Sequence, residues 1–342
     1  MQTTHIAVDT SKNVFTLHAT DAAGRCTGRL ELKRARFLAY FAKQSPLTVT
    51  LEACGGSHHW GRELARLGHN VRLIASQHVK PFVKRGKNDR VDAEAISEAA
   101  SRPSMRFIPV KSAQTQADAM AQSIRQQLVC QRTALVNALR GHAAEFGLVV
   151  GLGTHKVAAL LAAIAETVEM PQLARELCAE LGADIEALDA RIASFDRRLA
   201  ALHKENPVSQ LLVTIPGIGP VAALAMATSV DPARFTSGRA FAAFLGLTPK
   251  DHSSGGKRRL GGISRAGDER LRELLVLGAT SVLSHAVRSK GALGASRWLM
   301  HLLERKPRKL AAVALANKMA RIVWAMMSSG EFYRGAARPT PV

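Results

Sequence analysis

Two short apolar runs in the first 60 residues each end in a carboxylate, and this pattern constrains the fold more than any other feature. The first run ends in Asp9 and the second in Glu52. Apolar runs of this length, bounded by turn residues, are typical of buried strands. Between them, residues 11–13 predict a hairpin turn, and the alternation over residues 14–20 predicts a further strand.

The rest of the first 110 residues continues this mixture of strands and helices. Strands are predicted at 28–32 and 70–75, helices at 34–43 and 60–67, and a last helical pattern begins at Asp89. The order β-β-β-α-β-α-β-α is that of the RNase H-like fold. In that fold the first strand supplies an Asp, the fourth an acid beside it, and a late helix the remaining acids. We therefore predict an α/β, RNase H-like domain over residues 1–110.

Two further acids, Asp89 and Asp92, begin the last predicted helix. Residues three apart on a helix point the same way, so these carboxylates should lie side by side. With Asp9 and Glu52 they form a hard-oxygen set suited to Mg²⁺ or Mn²⁺. Each acid also has a plainer explanation, since Asp9 suits a turn and Asp89 a helix cap. The coincidence of all four with the predicted strand order favours the metal site.

The charge of the chain is unevenly distributed. The formal net charge is +20, and residues 1–110, 111–210 and 211–342 contribute +8, −1 and +13. Two basic regions joined by a neutral one indicate a polyanionic partner, most often nucleic acid. A soluble protein with a merely high isoelectric point would fit this partition less well.

Residues 111–210 predict helices. A long amphipathic stretch covers 125–146, and an apolar seam with alternating spacings of four and three follows. Three heptads are the lower limit for a coiled coil, and a helix packed in its own bundle gives the same spacing. The charged flanks favour a dimer contact. The seam consists of Leu181, Ile185, Leu188, Ile192, Phe195, Leu199 and Leu202.

Residues 211–333 predict a third, mostly helical region with two polar elements. The turn Pro216-Gly217-Ile218-Gly219 between apolar segments matches a helix-hairpin-helix element, whose backbone N–H groups can hold a phosphate. A plain tight turn is the alternative. The segment 246–268 is basic and glycine-rich, and a serine in it could attack a phosphodiester. The residue types alone favour a phosphate-binding loop without chemistry.

Cysteine use and hydropathy bear on the compartment. The four cysteines form no CxxC pair or zinc spacing, which predicts reduced thiols in a cytoplasmic protein. The N terminus lacks a basic-then-apolar stretch, so no signal peptide is expected. The nearest approach to a membrane span, residues 311–327, is interrupted by Lys318 and Arg321. We expect residues 334–342, rich in Gly, Ala, Pro and Arg, to be a disordered tail.

These motifs together resemble the IS110 family of DEDD transposases, in its IS1111-like branch, which is related to the Piv DNA invertases. The resemblance spans almost the whole chain. It rests on Val8-Asp9-Thr10-Ser11-Lys12, Leu51-Glu52-Ala53, Lys87-Asn88-Asp89-Arg90-Val91-Asp92-Ala93, Arg132-Thr133-Ala134-Leu135-Val136-Asn137-Ala138-Leu139-Arg140-Gly141, Ile215-Pro216-Gly217-Ile218-Gly219-Pro220, Ser253-Ser254-Gly255-Gly256-Lys257 and Ala316-Asn317-Lys318-Met319-Ala320-Arg321.

The resemblance implies a RuvC-like catalytic domain, a coiled-coil dimerisation region at 111–210 and a C-terminal transposase domain at 211–333. It implies that Asp9, Glu52, Asp89 and Asp92 bind Mg²⁺, with Mn²⁺ possible. The implied nucleophile is a serine that precedes a glycine, which fits Ser254, with Ser253 as the fallback. It further implies strand exchange between element-end and target DNA through a phosphoserine link, with acids and serine from different subunits.

The resemblance also implies partners: a structured bridge RNA that guides the reaction, and a homodimer that assembles to a tetramer. Two other functions compete with an RNA-guided recombinase. One is a metal-dependent nuclease or junction resolvase without a covalent intermediate, and the other is a non-enzymatic nucleic-acid-binding protein. We predict nucleic-acid contacts from Lys84, Arg85, Lys87, Arg132, Arg140, Gly217, Gly219, Lys257, Arg258, Arg259 and Arg265.

Overall fold

The computed structural model describes residues 2–84, 88–257, 259–289 and 297–333. The chain divides into two compact units, Met1–Gln116 and Ala117–Val342. The first is a mixed α/β unit and the second is mostly helical. The predicted tail at 334–342 lies outside the described residues.

A six-stranded sheet with the order β3-β2-β1-β4-β5-β6 forms the centre of the first unit. Strand β1 pairs antiparallel with β2 and parallel with β4, which in turn runs parallel to β5. Five of the strands match the predictions closely, whereas β6 is too short to leave a sequence pattern. The strands are β1 (His5–Thr10), β2 (Val14–Thr20), β3 (Cys26–Lys33), β4 (Thr48–Ala53), β5 (Asn70–Ala75) and β6 (Phe107–Ile108).

Helices cover both faces of this sheet. An aromatic cluster packs two of them on one face, with Phe15 edge-to-face against Phe37 and Trp60 at centroid distances of 4.7 and 5.2 Å. On the other face, Ala7 and Ile74 pack against the buried side of a third. The helices are α1 (Phe37–Phe41), α2 (Ser57–Arg66), α3 (Ser76–Val79) and α4 (Asp89–Ser101). The predicted helix at 34–43 is shorter, because Arg34–Arg36 forms a 3₁₀ turn.

The second unit begins with long helices: α5 (Ala113–Ala144, which starts just before the unit boundary), α6 (Val157–Glu166) and α7 (Gln172–Glu205). Residues of all three share a core that includes Leu139, Leu160 and Ile185. Ile185, Ile192 and Leu199 of the predicted seam are buried within this chain, and the other four seam residues are partly buried. The seam is therefore partly used inside the unit, and its role in dimerisation stays a prediction.

The remaining elements form a second core in the same unit. They are α8 (Pro207–Leu212), α9 (Pro220–Ser229), α10 (Gly238–Phe244), the hairpin strands β7 (Pro249–Asp251) and β8 (Leu260–Ile263), α11 (Glu269–Arg288), α12 (Arg297–Arg305) and α13 (Arg308–Ser329). Helices α7 and α9 contact each other. The region boundary at residue 210 is thus not a boundary between compact units.

Two glycines bring the 216–219 turn against α11. Gly217 has φ +87°, and a Cβ on Gly278 would lie 2.0 Å from the Gly217 carbonyl oxygen. This separation is far inside van der Waals contact, so the two backbones approach as closely as they do only because both residues lack side chains. The contact fixes the turn on the core.

Replacing either of two helical glycines with alanine should change stability in opposite directions. Gly278→Ala inserts a methyl group against a backbone oxygen and should destabilise the protein by about 2 kcal/mol. Gly141→Ala, in α5, meets nothing within 4 Å and should stabilise it by about 0.5–1 kcal/mol through helix propensity. Thermal unfolding of both variants measures the difference. Equal shifts in the two would contradict the close packing.

One described helix, α13, is long and apolar enough to cross a membrane by length and composition. It contains the apolar run 311–327 that Lys318 and Arg321 interrupt. Ala316, Met319, Ala320 and Val323 lie in the core with residues of α9, α10 and α11. A core helix of this kind meets the same criteria as a membrane span, so the helix is weak evidence for a membrane.

Candidate active site

Side-chain alternation along two parallel strands brings acids to the same face of the sheet. Val8 packs on the α1 and α2 side, whereas Ala7 packs with α4 on the other. Successive side chains point to opposite faces, so Asp9 shares the α4 face with Ala7. Val8 is in register with Leu51, which places Glu52 next to Asp9 on the neighbouring strand.

The start of α4 supplies the other two acids. Asn88 caps the helix, because its side-chain oxygen accepts a hydrogen bond of 2.9 Å from the Val91 N–H. Asp89 is therefore free of the capping role that competed with metal binding. The turn after β1 is held by Ser11, whose hydroxyl accepts from the Val14 N–H at 3.2 Å. The helix cap and the turn that could have explained Asp89 and Asp9 are thus supplied by Asn88 and Ser11.

Asp9, Asp89 and Asp92 converge, with one carboxylate oxygen of each within 4.8 Å of the others. Glu52 lies outside this tight group, although its charge acts on Asp9. Burial, and after it the negative charges of Asp89, Asp92 and Glu52, together raise the pKa of Asp9 from its ordinary value of 3.8 to about 6. The group therefore carries electrostatic repulsion that a cation would relieve.

The donor set fits a divalent cation. Carboxylate oxygens are the ligands that Mg²⁺ and Mn²⁺ prefer, and three of them already face a common point. Asp89 is exposed and Asp9 is partly exposed, so a cation and a phosphate can reach the cluster from solvent. Glu52 stands beside these three acids as a fourth donor.

Ion pairs link α4 to β3, the edge strand of the sheet, and to the segment before the helix. Arg90 pairs with Glu31 of β3 at 3.1 Å, and Glu94 receives Arg29 at 2.9 Å and Lys84 at 2.5 Å. These contacts set the direction in which the first turn of α4 presents its acids. Lys84, one of the predicted nucleic-acid contacts, is thus engaged with Glu94. The other two predicted contacts of this loop, Arg85 and Lys87, lie outside the described residues.

The serine segment folds as an exposed hairpin. Strands β7 and β8 pair antiparallel, and Gly255 and Gly256 turn the chain with φ of +56° and +74°. Two successive positive φ values are typical of a tight type I′ hairpin turn. Ser254 forms a β-bridge with Lys257 across this turn, and the Lys257 N–H donates to the Ser254 carbonyl at 3.0 Å.

The two adjacent serines differ in their bonding. The Ser253 hydroxyl accepts from the Arg259 N–H at 3.0 Å, which closes the hairpin. The Ser254 side chain is exposed at the tip and makes no hydrogen bond to any residue that the structure describes. Of the two, Ser254 is the one whose hydroxyl can approach a ligand without loss of a structural bond.

Two polar side chains, one buried and one partly buried, fix the base of the hairpin. Arg272 is 7% exposed and donates to the carbonyls of Leu245 and Ala266 at 3.0 and 3.2 Å. The Asn317 side chain donates to the Leu247 carbonyl at 3.1 Å. Asn317 lies in the segment 316–321 quoted above, but no sequence signal assigned it or Arg272 to the hairpin. The Asn317 bond joins residues that are far apart along the chain, and the Arg272 bonds join residues across a loop.

The other predicted nucleic-acid contacts have different surroundings. Arg132 pairs with Asp189 at 2.7 Å, and Arg140 donates to the carbonyls of Gly151 and Gly153 at 3.1 and 2.8 Å. These two guanidinium groups are held by their own unit. Gly219 begins α9 with an ordinary φ of −83°, so only Gly217 of the two turn glycines needs the left-handed region. The hairpin cations Lys257, Arg259 and Arg265 are exposed, and Arg258 lies outside the described residues.

Comparison with known proteins adds two family matches. A family model described as an IS110 DEDD transposase matches residues 6–147, and one described as the transposase IS116/IS110/IS902 family matches residues 209–292. These ranges contain the acidic cluster and the serine hairpin, respectively.

Full-length relatives agree with these matches. A protein of Sinorhizobium fredii named as a transposase is 51% identical, over 98% of this chain and 87% of the relative. A protein of Pseudomonas aeruginosa named as a family 20 transposase is 46% identical over 98% and 99%. The transposase for insertion sequence element IS1111A of Coxiella burnetii is 40% identical over 97% and 92%.

Proposed function

Since this chain belongs to the IS116/IS110/IS902 family of transposases, we propose that it cleaves and exchanges strands between insertion-sequence ends and target DNA, with Ser254 as the nucleophile and a divalent cation on the acidic cluster. The observation that carries this proposal is the convergence of Asp9, Asp89 and Asp92 within 4.8 Å. The exposed Ser254 hydroxyl supports it from the second unit.

The serine reaction is a transesterification. The Ser254 Oγ gives up its proton and bonds to phosphorus, while the bond to the departing sugar oxygen breaks and that oxygen takes up a proton. The phosphoserine ester keeps the energy of the broken bond for rejoining, whereas hydrolysis would lose it. The exposed cations Lys257 and Arg259, on the same hairpin, are placed to neutralise charge on the phosphoryl oxygens.

The acids prepare the site for the scissile phosphate. Asp9, Asp89 and Asp92, with Glu52 beside them, would hold Mg²⁺ or Mn²⁺. When bound, the ion supplies Lewis-acid polarisation of a phosphodiester and neutralises developing charge. The ion pairs of Arg90 and Glu94 link the start of α4 to β3 beside these carboxylates.

The finer features of the family belong to the same proposal. The sheet order β3-β2-β1-β4-β5 supports a RuvC-like fold for the first unit, and the turn between α8 and α9 supports a helix-hairpin-helix phosphate site with Gly217 and Gly219. Dimerisation through α7, assembly to a tetramer and guidance by a structured RNA from the element's flank follow from the resemblance, and a cytoplasmic location follows from the cysteine pattern. The basic excess of both flanking regions suits two nucleic-acid partners.

A recombination assay tests the proposal. Purified protein, the RNA transcribed from the element's non-coding flank, element-junction DNA and target DNA are combined with Mg²⁺, and joined strands are measured together with protein that stays attached to DNA after denaturation. We expect recombinant strands and a covalent adduct, and neither without the divalent ion. Cleaved strands with free ends and no adduct would instead indicate a metal-dependent nuclease or junction resolvase.

A further inference from the structure

The second unit carries a groove whose lining contains no residue of β7, β8 or the 216–219 turn. It is open to solvent, has a volume of about 790 Å³, and lies between α10, α12 and α13. Its lining includes Arg239 of α10, Trp298 of α12, and Lys318, Arg321 and Trp324 of α13. The proposed strand-exchange chemistry uses none of these five residues.

The groove is strongly cationic. Three of its lining residues are basic and none is acidic among those that the structure describes. The sequence around it sustains this excess, because residues 274–342 contain no acids except Glu304 and Glu331. Arg239 and Arg321 are exposed, so their guanidinium groups are accessible to an anionic ligand. A run of unneutralised cations in a concave surface attracts a polyanion.

Two of the three tryptophans of the chain line the same groove. Trp298 is 40% exposed, and the Lys318 ammonium lies 4.5 Å from the centroid of its ring. Trp324 is held in place by a hydrogen bond of 3.1 Å from its Nε1 to the Pro232 carbonyl. Trp324 also packs against the core, so Trp298 is the indole of this groove that folding leaves exposed. Proteins that bind single-stranded nucleic acids place aromatic rings among cationic side chains, because unpaired bases stack on the rings.

We propose that this groove binds an unpaired nucleic-acid strand, with a base stacked on Trp298 and the adjoining phosphates on Lys318, Arg321 and Arg239. A duplex is a poorer match, because its bases are already stacked and would offer only phosphates. DNA and RNA share the required chemistry. The inference goes beyond the proposed recombination, and it is tested by binding without divalent metal, so that failure of strand exchange would not affect it.

Binding of full-length protein to labelled oligothymidylate and oligouridylate of about 12 nucleotides, a length within the usual site size, tests the groove. Trp298→Ala should weaken binding at least about fivefold, which is the lower end of the cost of losing one stacked base. Trp298→Phe should keep most of the affinity. The DNA and RNA arms show which kind of strand the groove prefers, and weakening in either supports the proposal.

A matched pair of double variants distinguishes binding in the groove from nonspecific attraction to the net positive charge of the protein. Lys318→Gln with Arg321→Gln should weaken binding and reduce the salt slope by about 1.4, from about 0.7 per phosphate on single strands. Arg308→Gln with Lys309→Gln removes the same charge from exposed positions of the same helix that do not line the groove, and should have little effect. Equal losses in both pairs, unchanged binding by Trp298→Ala, or an equal effect on a duplex of the same length would overturn the proposal.

Discussion

Ser254→Ala is expected to abolish the covalent protein–DNA adduct and to reduce recombination by at least about ten-thousandfold, the scale seen when an enzyme loses its nucleophile. The variant should fold normally, because the Ser254 hydroxyl is exposed at the tip of the hairpin and makes no hydrogen bond to a described residue. Circular dichroism and thermal unfolding check the fold, and denaturing gels of protein with labelled element-end DNA measure the adduct.

Ser253→Ala is the matched control. It removes the acceptor for the Arg259 N–H, a loss of about 1 kcal/mol or less for an exposed bond, and leaves the proposed nucleophile in place. We expect the adduct to persist and recombination to fall only modestly. An adduct that disappears in Ser253→Ala and survives in Ser254→Ala would reverse the assignment. Full recombination in both variants would remove serine chemistry from the mechanism.

The acidic cluster was predictable because strand periodicity is a local property. Apolar runs ending at Asp9 and Glu52 are visible in the sequence, and alternation then dictates that both acids share one face. The helix start at Asn88 is equally local, since its cap binds only three residues away. What the sequence did not show is the spacing of the group, in which Glu52 stands outside the three closest acids.

Side chains whose partners are distant in sequence could not be assigned. Lys84, Arg132 and Arg140 read as free cations, but each finds an acid or a carbonyl in its own unit. Conversely, Trp298 and Lys318 are 20 positions apart on different helices, and only the packing of α12 on α13 brings them together. The partner of the apolar seam of α7 could not be predicted either, because periodicity shows that a helix face is buried without showing which residues cover it.

Asp9→Asn should lower recombination activity and raise the stability of the metal-free protein at pH 8. Recombination should fall by at least about a thousandfold, because the amide no longer offers a charged ligand and metal-ion catalysis contributes several kcal/mol. The metal-free variant should nevertheless be more stable than the wild type at pH 8. The folded pKa of Asp9, about 6, exceeds the ordinary value of 3.8. Its favourable contribution is complete below about pH 3.8 and is lost as the pH rises through about 6.

The size of that loss follows from the pKa difference. A shift of about 2 units corresponds to about 3 kcal/mol, and partial exposure of the side chain reduces this to about 1–3 kcal/mol. Thermal unfolding in a chelator should therefore rank Asp9→Asn above the wild type at pH 8, with the gap closing near pH 4. Mg²⁺ or Mn²⁺ should raise the melting temperature of the wild type alone, since ligand binding stabilises the state that binds it. If the variant were no more stable at pH 8 and responded to the cation as the wild type does, the three carboxylates would not be the metal site.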